Sequence, residues 1–437
     1  MATKTPVPPA VDRASVLRAL FASTIGSAIE WYDFYLYSTA TTLVLAPLFF
    51  PIGSSGAGVM ASFATYTAGF VARPVGGLLA GHFGDRIGRK SMLVLTIMVM
   101  GAATFLVGLL PTYDQIGILA PAILVFLRVL QGVGIGGEWG GGVLLAVENA
   151  PPGRRAWYSS WPLIGFPLGL MASTLSFAAV ATLPTADLMG WGWRIPFLLS
   201  CLLVALGIYV RVGIVETPEF TAVKNGPGVS RIPLWDVLRG HPRAVLCGMS
   251  ATLGVGSVVS YFTVFLPSSS YAADAGTRSS VLTGLVIGAA VQCVTVPVYT
   301  RWSDRRGRKP VMVWGFLVTA VTAVPAVGWL GSEDTVLTTT SYVLAMAVGH
   351  AAAYGNLAAF LIDAFPVRVR YSALALTYQL GATISSFLPL VATLVAGGPR
   401  ATGATGWLFA GVVAVASLGV ALMPRPGREV QPVSPPG

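Results

Sequence analysis

GHFGDRIGRK, residues 81–90, and TRWSDRRGRK, residues 300–309, share the pattern D-R-x-G-R-K, at Asp85 to Lys90 and at Asp304 to Lys309. The two copies lie 219 residues apart in a chain of 437. A second pair supports the match. ENAPPGRRAWYS (148–159) and DAFPVRVRYS (363–372) each run acid, proline, two arginines, tyrosine. Two matches at nearly one offset, half the chain, argue that one unit is present twice. Both patterns interrupt a very apolar sequence, 54% hydrophobic and only 10% charged, with mean hydropathy +0.74. An average soluble domain has about a quarter of its residues charged. The excess of apolar sequence identifies lipid as the solvent.

Outward from these loops the chain divides into twelve apolar segments, each long enough to cross about 30 Å of hydrocarbon as helix. They cover 18–47, 57–81, 91–110, 116–145, 158–182, 193–213, 243–267, 279–300, 311–331, 338–362, 372–397 and 404–424. The runs are too long for strands and lack period-two alternation. The expected organisation is an all-α membrane protein of two six-helix halves. An N-terminal tail covers 1–17, the first half 18–213, a linker 214–242, the second half 243–424 and a disordered tail 425–437. The first span is too long for a signal-peptide core and has no cleavage site at its end, so it is expected to be retained.

Placing both termini in the cytoplasm puts all but five of the 27 Lys and Arg on that side. Arg194, Arg278 and Arg400 fall outside, and Arg73 and Arg128 lie within spans. This asymmetry sets the orientation in the cell membrane. It also accounts for the net charge of +10 without nucleic acid. Cys201, Cys247 and Cys293 sit in apolar runs without metal-ligand spacing and are read as packing residues. In each D-R-x-G-R-K loop the glycine (Gly88, Gly307) allows an unusual backbone angle. The aspartate can cap the next helix or pair with a neighbouring arginine.

The two loops, the six-plus-six layout and RVLQGVGIGGEWGGG (128–142) resemble the major facilitator superfamily. More narrowly, IEWYDFYLYS (29–38), FVARPVGGLLAGHFGDRIGRK (70–90), SSWPLIGFPLGL (159–170), WGWRIPFLLS (191–200), VETPEF (215–220) and YGNLAAFLIDAFPVRVRYS (354–372) resemble its metabolite:proton symporter branch. The resemblance implies a twelve-helix alternating-access carrier. Its substrate would be a small organic anion such as citrate, 2-oxoglutarate or shikimate, or a zwitterion such as proline or betaine. It also implies that the first, fourth, seventh and tenth helices line a central cavity. The sequence departs from the branch at Ser38 and at Ser385 to Phe387, where glycines are usual, and at Asp363, where glutamate is usual.

A charge at the bilayer centre costs about 2.5–3.5 kcal/mol. Glu30, Asp33, Arg73, Arg128 and Glu138 all fall deep in first-half spans. They must pair, face water or be neutralised. Glu30, Asp33 and Tyr37 share one helical face by their i, i+3, i+7 spacing. Arg128 lies near the midplane of the fourth span, at a depth similar to Asp33. The expected couples are Asp33 with Arg128 and Glu30 with Arg73. Asp33 or Glu30 is expected to carry a proton, and Arg128 to hold an anionic part of the substrate. A structural network holding the first half together is the alternative. The second half has no ionisable acid or base in its spans except His350, with Tyr354 one turn on, and these two are expected to contact substrate. Tyr261, Gln292 and Gln379 are further polar positions.

The cytoplasmic gate is expected at Gly81, Asp85, Arg86, Gly88, Arg89 and Lys90, and in the second half at Asp304, Arg305, Gly307, Arg308, Lys309, Asp363, Arg368 and Arg370. The glycine-rich run 128–142 lacks the G-K-[ST] ending of a phosphate loop and follows no strand. No cofactor, metal or enzymatic activity is expected. The expected partners are a small-molecule substrate, protons and the bilayer, with the protein a monomer. Efflux by the same fold and a non-transporting receptor are the alternatives.

Overall fold

The structure, a computed structural model, describes residues 13–51, 55–87, 89–136, 155–212, 233–271, 275–330, 334–366, 370–398 and 400–424. Twelve long helical segments account for almost all of them. In the first half α1 runs over Arg13–Ala40 and continues through a π-helical turn, Thr41–Leu45, into Ala46–Phe49. α2 is Ser55–Ile87, α3 Arg89–Leu109, α4 Leu119–Gly136, α5 Arg155–Val180 and α6 Arg194–Val212. In the second half α7 is Pro242–Val259, again followed by a π-helical turn, Ser260–Phe265, and by Leu266–Tyr271. α8 is Ala275–Arg306 and α9 is Arg308–Leu330. α10 runs from Thr335 to Ala364 through a π-helical stretch at Val343–His350. α11 is Arg370–Ser385, broken and resumed at Leu388–Ala396, and α12 is Gly403–Leu422. A described helix lies on each of the twelve expected spans, with residues 137–145 of the fourth outside the described residues. A short helix, Pro233–Gly240, occupies the described end of the linker.

Helix is the form this sequence must take, because hydrocarbon offers no partner for backbone N–H and C=O groups. Eight of the described helices are long and apolar enough to cross a membrane, and the bent pair Thr185–Gly192 with Arg194–Tyr209 makes a ninth. α3 contributes a shorter apolar run, Val94–Leu109. α1 and α2 carry Glu30, Asp33 and Arg73, which lower their hydropathy. Large apolar side chains such as Phe21, Leu202, Val321 and Trp407 stand exposed on the outside of the bundle, as a lipid-facing surface requires.

The helices approach through small residues. A Cβ on Gly132 would lie 2.0 Å from the Gly69 carbonyl oxygen, and one on Gly136 2.0 Å from that of Arg73. α2 and α4 therefore touch backbone to backbone, the close approach that small residues allow between helices. α1 packs on α5, α3 on α6, and in the second half α9 and α7 both pack on α12. The repeat is visible in detail. The π-helical turns of α1 and α7 begin at Thr41 and Ser260, separated by the same 219 residues as the two loops.

Candidate functional site

The face of α1 that carries the acids turns inward. Asp33 and Tyr37 are fully buried, and Glu30 lines a narrow cleft with Arg73, Tyr378 and Gln379. Arg128, from α4, is buried beside them. Its guanidinium lies 3.9 Å over the Tyr37 ring, 5.4 Å from that of Phe34 and 5.8 Å from that of Tyr66. It donates to Gln131 Oε1, and Gln131 Nε2 donates to the Thr104 hydroxyl at 2.8 Å. Arg73, from α2, lies 3.9 Å over Phe70 and 5.0 Å over Phe34. Both arginines thus rest on aromatic faces, which attract a desolvated cation. The Nε of each has no hydrogen-bond partner.

The expected direct pair of Asp33 with Arg128 does not form. Arg128 turns to Tyr37 and Gln131 instead. Asp33 lies beside Thr104, at the far end of the chain Arg128–Gln131–Thr104. Thr104 donates its own hydroxyl proton to the Met100 carbonyl at 3.0 Å. Neither carboxyl oxygen of Asp33 has a hydrogen-bond partner. Glu30 and Arg73, the second expected couple, line the same cleft.

From the second half, His350 and Tyr354 stack in parallel, with ring centroids 5.1 Å apart. Phe166 of α5 touches both, at 5.1 Å each. Gln292 Nε2 lies 2.8 Å from His350 Nδ1. With the amide nitrogen as donor, Nδ1 accepts and the ring hydrogen sits on Nε2. That Nε2, the Tyr354 hydroxyl and Gln292 Oε1 have no further partner. Tyr261, by contrast, bonds Thr405 at 3.1 Å and stacks on Phe409 at 4.5 Å, a packing role.

The halves are joined at three levels. Far from the basic loops, Ser38 Oγ donates to Thr263 O at 3.3 Å, Thr67 Oγ1 to Ser386 O at 2.9 Å and Thr383 Oγ1 to Phe70 O at 3.0 Å. Midway, Gln379 Nε2 donates to Gly136 O at 2.8 Å. At the basic face the Trp157 N–H, in the first turn of α5, donates to Asp304 Oδ2 at 3.2 Å. Asp304 therefore reaches a helix start in the opposite half, not only the following helix. Gly307 has φ +90°, the backbone angle expected of the loop glycine. Arg308 pairs with Asp363 and donates to Ala359 O at 2.7 Å. Lys309 donates to Met423 O.

A family model, "Sugar (and other) transporter", matches residues 19–228 and 232–423. The chain is 39% identical to the inner membrane metabolite transport protein YhjE of Escherichia coli strain K12, with 85% of this chain and 86% of that one aligned. It is 36% identical to the shikimate transporter of the same strain, with 86% of each aligned. It is 31% identical to the citrate-proton symporter of Klebsiella pneumoniae, over 86% and 84%. Among solved structures, the proton:xylose symporter XylE superposes with TM-score 0.73 at 16% identity, over 93% of this chain and 95% of that one. The chain belongs to the major facilitator superfamily. Within it the chain falls in the metabolite:proton symporter branch, and it is a multi-pass membrane transporter rather than an enzyme.

In this transporter the buried first-half residues expected from sequence gather in one place, except Glu138, which lies outside the described residues. Gly88 and Arg368 also lie outside them, as do the side chains of Asp85, Arg86, Arg89, Lys90 and Arg370. Gly81 lies within α2, and Arg305 in the last turn of α8. Gln131, Thr104, Tyr66 and Phe166 were not singled out by sequence. Gln131 had a usable signal, three residues beyond Arg128 on one helical face. The others are brought in by helices remote in the chain. No group of three metal-ligating side chains gathers among the described residues.

Proposed function

We propose that the protein is a proton symporter of small carboxylate-bearing metabolites, working by alternating access in the cell membrane with both termini in the cytoplasm. The observation that carries this reading is the Asp33 carboxyl, fully buried with neither oxygen hydrogen-bonded, beside Thr104 where the hydrogen-bonded chain from Arg128 through Gln131 ends. An uncompensated buried carboxylate is expensive, and binding a proton removes the cost. Opening the pathway to water would let the proton leave. Arg128, with its Nε unpartnered, is suited to a substrate carboxylate. His350 and Tyr354 would contact the substrate from the other half. Bridges at the basic face, Asp304 to α5 and Arg308 to Asp363, would hold that side closed in one state and break in the other. By the repeat, Asp85, Arg86, Gly88, Arg89 and Lys90 would act likewise toward α11. The working unit would be a monomer.

The experiment is proton uptake into proteoliposomes holding a trapped pH dye, against carboxylates, betaine and proline, with Asp33→Asn beside the native protein. Substrate-dependent acidification lost in Asp33→Asn supports the reading. Binding without acidification by any compound would overturn it in favour of a receptor or a proton-independent carrier.

A further inference from the structure

The outer surface of α8 changes character near its basic end. Val294 and Val298 stand exposed, and Arg301 and Arg305 continue the same row by their i, i+4, i+7, i+11 spacing. Both arginines are exposed. Neither pairs with an acid among the described residues. Asp304, next to Arg305 in the chain, accepts instead from Trp157 in the other half. On α9, Trp314, Leu317 and Val321 are exposed along one face.

Three rings meet where the row turns from valine to arginine. Tyr299 and Trp302 of α8 lie 5.6 and 6.2 Å from Trp314 of α9, and 6.3 Å from one another. Trp and Tyr favour the headgroup level of a bilayer, where an apolar ring and a polar tip are both satisfied. An arginine there can lay its stem on apolar surface and present a planar fork that matches a phosphate.

Neither the helix dipole nor the repeat explains the cluster. The dipole favours a cation in the last turn of α8, where Arg305 stands, but not Arg301 a turn earlier. At the 219-residue offset Tyr299, Arg301, Trp302 and Trp314 correspond to Ala80, His82, Phe83 and Leu95. Only Arg305 has an arginine as its counterpart, Arg86. The second half thus carries a basic and aromatic patch that is no part of the shared loop pattern.

We infer that the α8–α9 face holds an anionic phospholipid of the leaflet at the basic side. Its phosphate sits at Arg301 and Arg305, its glycerol region against Tyr299, Trp302 and Trp314, and its acyl chains along Val294, Val298 and Leu317. This surface lies outside the bundle and is distinct from the central site.

The test uses the full-length protein in vesicles with brominated acyl chains, which quench tryptophan on contact. Brominated phosphatidylglycerol is compared with brominated phosphatidylcholine, each diluted in plain phosphatidylcholine. The signal of the pair is the difference between the native protein and a Trp302→Phe/Trp314→Leu variant. For two arginines it should be quenched at up to about thirtyfold lower mole fraction of phosphatidylglycerol. This preference should shrink from about 10 mM to about 1 M salt, as the Debye length falls from about 30 to about 3 Å. Arg301→Gln should lower it about fivefold. Arg400→Gln, in the loop at the opposite end of the bundle, should leave it unchanged. Equal quenching by both lipids would overturn the site and leave an ordinary aromatic belt. An equal loss in Arg400→Gln would assign the preference to overall charge. Quenching by neither lipid would mean that another protein covers the face.

A second readout needs no change of tryptophan. Phosphatidylglycerol added in detergent should raise the Tm of the native protein more than that of Arg301→Gln, with phosphatidylcholine raising both alike. An equal rise with phosphatidylglycerol would overturn the arginine assignment.

Discussion

The two halves are one fold built twice, yet they fill their centres differently. The first buries Asp33, Arg73 and Arg128, whereas the described part of the second buries no carboxylate, lysine or arginine and only one histidine, His350. At the 219-residue offset Asp33 corresponds to Thr252, which satisfies its hydroxyl on the Gly248 carbonyl at 3.0 Å. Both halves bring helices together through glycine. A Cβ on Gly315 would lie 2.5 Å from Gly349 O, and one on Gly381 2.6 Å from Met249 O, much as at Gly132 and Gly136. The second half thus forms the same six-helix unit without buried charge among its described residues, so the carrier and structural readings of the charges in the first can be separated by experiment.

The sharpest way to break this comparison is to give the first half the second half's solution. Asp33→Thr should leave a folded, monodisperse protein and abolish substrate-driven proton uptake altogether, while exchange of labelled for unlabelled substrate continues. Loss of folding instead would make Asp33 structural. Next in size is Arg128→Lys. Lysine keeps the charge but loses the planar fork and its stacking on Tyr37. Removal of charge-assisted hydrogen bonds to a carboxylate costs about 1.5–3 kcal/mol, so substrate affinity should fall by about 10- to 150-fold, read by titration calorimetry. Full affinity in this variant would place the carboxylate elsewhere.

A smaller effect is expected at the glycines. Gly136→Val must push the α2 backbone away from α4 at Arg73. Overpacking of this kind costs about 1–3 kcal/mol, and thermal unfolding in detergent should fall accordingly. Gly381→Val, on the α7–α11 contact, should cost a similar amount. A large difference between the two would mean that the halves do not share their packing physics.

Much of the fold was legible in the sequence. The loop repeat fixes two halves, and unbroken apolar runs fix the spans, because lipid leaves helix as the only choice for each. The break in α11 at Ser386 and Phe387 and the π-helical turns were not legible, since they depend on what neighbouring helices offer a displaced carbonyl. The charged site residues could be named because a charge in an apolar run is conspicuous. Their pairing could not. Depth along a helix suggested Asp33 against Arg128, but which way a guanidinium turns is decided by aromatic faces and amides from other helices, here Tyr37 and Gln131. Asp304 makes the same point. Local rules offered the next helix, while one of its partners, Trp157, lies 147 residues away in the other half.

The smallest expected effect lies where the halves are most alike. Ser38, in the last turn of α1 before its π-helical turn, donates to the carbonyl of Thr263, within that of α7, through a bond of 3.3 Å, at the long end of the hydrogen-bond range. The nearby Thr67 to Ser386 bond is shorter, at 2.9 Å. A buried neutral hydrogen bond contributes about 0.5–1.5 kcal/mol net. Loss of the first should therefore shift the balance toward a state open at that face by about two- to threefold, and loss of the second by somewhat more. Ser38→Gly and Thr67→Val test this in a cysteine-free background carrying Thr41→Cys, through the labelling rate with a membrane-impermeant thiol reagent. Faster labelling in both, larger for Thr67→Val, is the expected order. Unchanged rates in both would mean that packing of the rings, rather than these hydroxyls, keeps that face shut, and that Ser38 sits at the junction without acting as a latch.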